Sequence, residues 1–120
     1  MKVIIDLIED IRSVIEDKRD FSLGVMGLKE DEKAEFSPVW QSKLCSYKLD
    51  ETRKKLFIFL GQGEAINVGA WFDVLDGLSN EEMMYEVQVS YSKEEKRQDS
   101  QLIGFGEDLS SKRYLLFIAE

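Results

Sequence analysis

With 120 residues, 43% of them hydrophobic and thirteen aromatic, the chain can bury one ordinary core, which excludes disorder and argues for one globular domain over residues 1–120. The formal net charge is −8 and lopsided: residues 1–60 carry eleven basic and twelve acidic side chains, residues 61–120 five and twelve. The second half would repel a phosphate backbone, so direct nucleic-acid binding is disfavoured, and the absence of histidine removes Ser-His-Asp and Cys-His catalysis and the usual zinc ligands together.

The first segment is a helix. Ile4, Leu7, Ile8, Ile11, Val14 and Ile15 recur at helical spacing, and Asp6, Glu9, Asp10, Ser13, Glu16 and Asp17 occupy the other face. A helix over residues 3–19 follows, its heptad seam too short for a coiled coil. The interleaved carboxylates are not tolerated in a signal-peptide core or a membrane span. With a single cysteine, Cys45, and therefore no internal disulfide, the expected location is cytoplasmic, away from membranes.

Phe21, Leu23 and Val25 alternate with small or polar residues, as in a half-buried strand ending near Leu28. Residues 29–35 are almost all charged and predict an exposed loop. Pro38, just before Trp40, argues against a regular central strand there and leaves Trp40 as an exposed aromatic anchor. Cys45, Tyr47 and Leu49 alternate, and residues 56–60 form a continuous apolar run, so the polar link between them predicts an antiparallel hairpin. Val68, Trp71, Phe72, Leu75 and Leu78 mark a second helix over residues 65–77, with Asn67 as N-cap and Gly77 near the end. Ser79 and Glu82 have capping-box spacing. Met83, Tyr85, Val87, Val89 and Tyr91 share one strand face. Residues 93–100 read as an exposed loop, residues 102–105 as a weak strand and residues 114–119 as a strong apolar one. No internal repeat is visible.

This order predicts an α+β fold: a mainly antiparallel sheet of five to six strands with two amphipathic helices packed on one face. The runs 56–60 and 114–119 are apolar on both sides. That motivates the expectation of a homodimer covering the second sheet face, or of residues 29–42 folding over it.

Two stretches carry functional expectations. Residues 56–91 contain no Lys, Arg or His but hold six carboxylates, Glu64, Asp73, Asp76, Glu81, Glu82 and Glu86. A folded surface of one sign attracts the other. The leading expectation is a non-catalytic acidic protein-binding module, of the adaptor, chaperone-like or inhibitor kind. It would engage a basic protein partner through Asp73, Asp76, Glu81, Glu82, Glu86 and Trp40. The alternative is a small-ligand or nucleotide site at Gly61, Gly63 and Glu64, a strand-to-helix turn of the kind that cradles phosphates, although Ile66 replaces the third glycine of the fingerprint. Asp73 and Asp76 share a helix face but lack calcium-loop spacing, so no metal or other cofactor is expected. Cys45 reads as structural and the Arg53-Lys54-Lys55 cluster as a solubilising turn. An enzymatic role is disfavoured.

Overall fold

The stripe of Ile4, Leu7, Ile8 and Ile11 forms helix α1, Ile4–Arg12, in the computed structural model of the chain, which describes residues 1–120. All four side chains are completely buried, each contributing about 1.5–3 kcal/mol of apolar burial. The expected single helix over 3–19 breaks at Ser13 and Val14, and a separate turn, α2, Ile15–Lys18, carries the chain on. Then follow β1, Ser22–Glu30; β2, Phe36–Asp50; β3, Lys55–Gly61; α3, Val68–Asp76; a 3₁₀ turn, Glu82–Met84; β4, Glu86–Lys93; β5, Lys96–Asp108; and β6, Arg113–Ala119. No helix is long and apolar enough to cross a membrane.

The fold is α+β with a six-stranded sheet, but the sheet is mixed and closed. Its strands form a barrel in the order β1-β2-β3-β4-β5-β6. Four pairings are antiparallel, and two, β3 with β4 and β6 with β1, are parallel. Closure leaves no free edges and one interior. Leu23, Val25, Leu44, Leu56, Ile58, Val87, Val89, Leu102, Tyr114, Leu116 and Ile118 belong to one hydrophobic cluster with the stripes of α1 and α3. The two helices touch each other and lie across the end where β1, β3, β4 and β6 begin. Their packing is therefore that of a plug at one end of a barrel, where the alternation had suggested an open sheet face.

The barrel also contains a repeat that the residues conceal. A helix followed by a three-stranded antiparallel meander occurs twice. Val3 bridges to Glu86 and Asn67 bridges to Ser22. Ile4 N–H donates to Tyr85 O, and Val68 N–H to Phe21 O; Val87 N–H donates to Lys2 O, and Leu23 N–H to Ile66 O. Each of these pairs is exchanged by a shift of 64 residues, the spacing from Ile4 to Val68. Register slips at Cys45 in β2 and at Ile103 in β5, one extra residue in each strand, also correspond, here at a spacing of 58 residues. So do the positive-φ turn residues Lys54 and Lys112. The molecule is a pseudo-two-fold barrel in which the lead-in to each helix pairs with the first strand of the other half.

The two apolar runs are counterparts as well. Their inward residues fill the barrel; their outward residues are covered within the chain. Phe57 lies under the Arg53 guanidinium and Phe59 under that of Arg97. Phe117 lies against the backbone of Gly106, where a Cβ would come within 2.4 Å of its ring. Phe57 and Leu115 are only 5% and 3% exposed. The outward side that motivated a homodimer is thus largely covered within the chain, with Phe59 and Phe117 partly exposed, and residues 29–42 do not fold over it as a loop. They form the turn after β1 and the start of β2. Pro38 is accommodated inside β2, paired with Leu28 beside a register shift. The expected loop 93–100 is a tight hairpin, with Glu94 and Glu95 both at positive φ joining β4 to β5.

Candidate functional site

The acidic stretch is less one-sided in space than in sequence. Asp73 and Asp76 lie on the exposed side of α3, which packs beside α1 and α2. Arg12 Nη2 sits 2.9 Å from Asp76 Oδ1, and Arg19 Nη2 sits 2.7 Å from Asp73 Oδ2. Both pairs are solvated and contribute little stability, yet each cancels a charge that the local sequence leaves unopposed. Glu82 closes the capping box: its carboxylate accepts from Ser79 N–H, and Ser79 Oγ accepts from Glu82 N–H. Those bonds hold the Glu82 carboxyl below its ordinary range. Glu86 accepts from the Gln88 side chain. Burial pushes the Tyr85 hydroxyl up, and Glu81, Glu51 and Glu82 push it the same way. A smaller acidic group around Tyr85 therefore remains. Trp40 is not part of this surface. It lies within β2, toward the end of the barrel away from the helices, and is half-buried against Gly27 and Tyr91.

The glycine turn is divided rather than assembled. Neither Gly61 nor Gly63 has positive φ, and α3 begins only at Val68, capped by Asn67 Oδ1 accepting from Ala70 N–H at 3.1 Å. The helix N-terminus is thus seven residues from Gly61 and docked against β1, so no phosphate cradle forms. Glu64 lines a small hollow of about 250 Å³ with Ser22, Lys43 and Arg113, and Gly63 lines neither this hollow nor the larger cleft.

Gly61 and Gln62 do line the larger cleft, of about 640 Å³, at the end of the barrel away from the helices. Its origin is a failure of the two-fold symmetry. β6 and β1 pair over seven positions, Arg113 with Ser22 through Ala119 with Leu28, and Glu120 N–H then donates to Leu28 O. β3 and β4 pair over five, Lys55 with Glu86 through Phe59 with Ser90. Beyond that point Leu60 and Gly61 part from Tyr91, Ser92 and Lys93, and the cleft occupies the opening.

Aromatic and charged groups converge there. The Trp40 and Tyr91 rings meet at 5.4 Å between centroids, tilted by 48°. Gly27, paired with Trp40, makes room for that indole; its two-fold counterpart on β4 is Tyr91 itself. Arg97 Nε donates to Ser90 Oγ at 2.6 Å, and its guanidinium lies 5.5 Å from the Phe59 ring centroid. Lys93 Nζ sits 2.9 Å from Glu120 Oε1. This ammonium holds the Glu120 carboxyl below its usual range against the opposing effect of its burial, with Trp40 and Lys29 adding to the lowering, and Glu120 in turn raises Lys93. Gln41, Ser42 and Gln62 supply neutral donors and acceptors.

Of the residues singled out from sequence, only Trp40 and Gly61 border this cleft. Arg97, Tyr91, Lys93 and Glu120 were missed because they lie in a segment read as loop and strand end. The one available signal was that three of the five basic residues of the second half, Lys93, Lys96 and Arg97, fall close together there. Cys45 stands on the β2 bulge, half-buried, with its Sγ 3.8 Å from Lys43 O, so it is less enclosed than a core thiol. No family model matches the sequence, and no curated protein or solved structure matches it.

Proposed function

We propose that the chain is a binding domain whose ligand enters the cleft between the diverging ends of β3 and β4. The observation that carries this reading is the broken symmetry: one parallel seam zips to its end, while its counterpart stops at Phe59 and Ser90 and opens into a concave site. The volume lies within the usual range for small-ligand sites, and the lining sets Trp40, Phe59, Leu60 and Tyr91 among a majority of polar residues. This keeps the ligand-binding alternative read from the sequence but moves its centre from Gly61, Gly63 and Glu64 to Trp40, Tyr91 and Arg97. The test is a thermal-shift panel of nucleosides, nucleotides, sugars, sugar phosphates and divalent ions, followed by NMR of the Trp40 indole N–H. A ligand that binds the native state raises the melting temperature and moves the Trp40 signal. A flat response across the panel overturns the reading.

A second reading is the acidic protein-binding module. It is favoured by the cluster of Glu51, Glu81 and Glu82 around Tyr85, which has no cationic partner among the ion pairs. A basic partner would dock on that group and on Glu86. Asp73 and Asp76 would contribute only by exchanging their arginines. Capture at low salt that is lost at high salt and in Glu81→Lys/Glu82→Lys supports it; capture indifferent to both sinks it.

A further inference from the structure

We infer that the cleft takes an anionic ligand, a carboxylate or phosphate attached to a flat ring, with Arg97 as the group that recognises the anion and Trp40 and Tyr91 as the seat of the ring. This rests on the cleft reading above and specifies its chemistry.

The first observation is the charge of the lining. Among the lining residues Lys93 and Arg97 are two cations to one anion, Glu120, in a chain whose net charge is −8, with Asp99 just outside the lining at 3.9 Å from Arg97. Residues 61–120 contain only five basic side chains, and two of them border this one opening. The Lys93 ammonium is engaged by Glu120 at 2.9 Å, so that pair is internally neutralised. Arg97 is left as the cation without a hydrogen-bonded carboxylate, its one ion pair being the loose, solvated contact with Asp99.

The second observation is how Arg97 is held. Its Nε is fixed by Ser90 Oγ at 2.6 Å and its plane is steadied over Phe59. The nearest carboxylate, Asp99, stands 3.9 Å from Nε, beyond hydrogen-bonding range. The terminal Nη groups have no hydrogen-bond partner in the protein. A guanidinium offers a planar fork of donors that matches carboxylate or phosphate. Here one edge serves to orient the group and the remainder is free, so the rotamer entropy of a surface arginine is already restricted before a ligand arrives.

The third observation is what lies beside it. Tyr91 and Ser90 point to opposite faces of β4, but both border the opening between β3 and β4, so the Trp40–Tyr91 pair lines its inner side and Arg97, held by Ser90, its outer rim. A flat ring can lie against these aromatics while its anionic substituent reaches Arg97. Glu120 disfavours a second negative charge near Lys93, so the anion belongs at the Arg97 side of the opening.

The test uses the intact chain and three probes that share a ring: benzoate, phenyl phosphate and neutral benzamide. Binding is followed by NMR through the Trp40 indole N–H and the Arg97 Nε–H, with the buried Trp71 indole as a control for folding. The expected result is that benzoate or phenyl phosphate binds about tenfold more tightly than benzamide, the ratio expected of one charge-assisted hydrogen-bonded contact. Comparison of the two anions identifies the favoured group. Arg97→Gln should abolish the preference for the anion without moving the Trp71 signal, since the side chain is 64% exposed. Lys96→Gln, outside the lining, should leave it intact. Equal binding of all three probes at Trp40, or an anion preference surviving in Arg97→Gln, overturns the assignment to Arg97 but leaves the cleft as the binding site. If no probe moves the Trp40 signal, both the inference and the cleft reading fall.

Discussion

The two halves of the barrel perform the same construction with different side chains. Helix α1 has no side-chain N-cap at Val3; instead the Asp6 carboxylate accepts from Val3 N–H at 2.9 Å. Helix α3 uses the reverse device, with the Asn67 side chain accepting from Ala70 N–H. Each satisfies part of the same set of unpaired amides at a helix start. The turns between the second and third strands agree more closely: Asp50 Oδ1 accepts from Arg53 N–H, and Asp108 Oδ1 from Ser110 and Ser111 N–H. The halves diverge where the barrel opens. Where the first half has Gly27 with Trp40 lying on it, the second has Tyr91 paired with Gln98. The sharpest departure from equivalence lies at the end of the barrel away from the helices.

The largest expected effect tests whether the equivalence is energetic as well as geometric. Ile11 and Leu75 are counterparts, 0% and 1% exposed. Ile11→Asp and Leu75→Asp each place an unpaired carboxylate in the plug, and each should cost more than about 4 kcal/mol, leaving the chain unfolded or nearly so. Circular dichroism and urea titration measure this. A native-like melt for either variant would mean that its helix is dispensable and the halves unequal.

Next in size is Gly27→Ala. The added Cβ would come within 2.4 Å of the Trp40 indole. Displacing the ring should cost about 1–3 kcal/mol, typical of overpacking, and shift Trp40 emission to the red as the indole becomes wetter. An unchanged spectrum would show that Trp40 does not rest on Gly27.

Tyr114→Phe is expected to cost about 1–3 kcal/mol. Its hydroxyl donates to the Asp10 carboxylate across the helix plug, and its removal leaves that acceptor short of a partner. The counterpart, Leu56, has no hydroxyl, so this bond belongs to one half only. Burial raises the Tyr114 hydroxyl far above its ordinary value, with Asp10 adding to it. Spectrophotometric titration should therefore show one tyrosine that ionises only when the chain unfolds in alkali.

The smallest effect is a pH response confined to the cleft. Glu120 titrates lower in the folded chain than in the unfolded one, so its contribution to stability is fully present above about pH 4.5 and is lost as the pH falls through its folded value. Trp40 emission should change over that acid range, and Glu120→Gln should remove the change. A response that persists in the variant would assign it to another carboxylate.

Most element positions were legible because periodicity is a local property. The stripes of both helices, the hairpin between Leu49 and Leu56, and the alternation from Val87 to Tyr91 all reappear as α1, α3, β2–β3 and β4. Closure was not legible, because the pairing of β1 with β6 joins residues 91 positions apart, from Ser22 with Arg113 to Leu28 with Ala119. The apolar runs were read as needing cover on a second face, and cover from Arg53, Arg97 and Gly106 was not legible, because none of them announces that role in sequence. The repeat was hidden because counterparts conserve burial and not identity: Leu7 answers to Trp71, Phe21 to Tyr85, Leu56 to Tyr114. The partial neutralisation of the acidic stretch was hidden for a related reason. Its opposing charges, Arg12 and Arg19, arrive from more than fifty residues away.

The crossed lead-ins have a kinetic consequence. The strand that receives Val3 is β4, and the segment that meets Ser22 includes Asn67, so neither meander can dock its own helix from its own sequence. β1 stays unpaired on one side until β6 is made. Bringing such distant segments together requires chain-closure entropy to be overcome before the contacts reward it. Folding should therefore be slow for a chain of this size and all-or-none. A break in the connection between Gly61 and Ile66 should yield two fragments that are each unstructured alone and regain the barrel only when mixed.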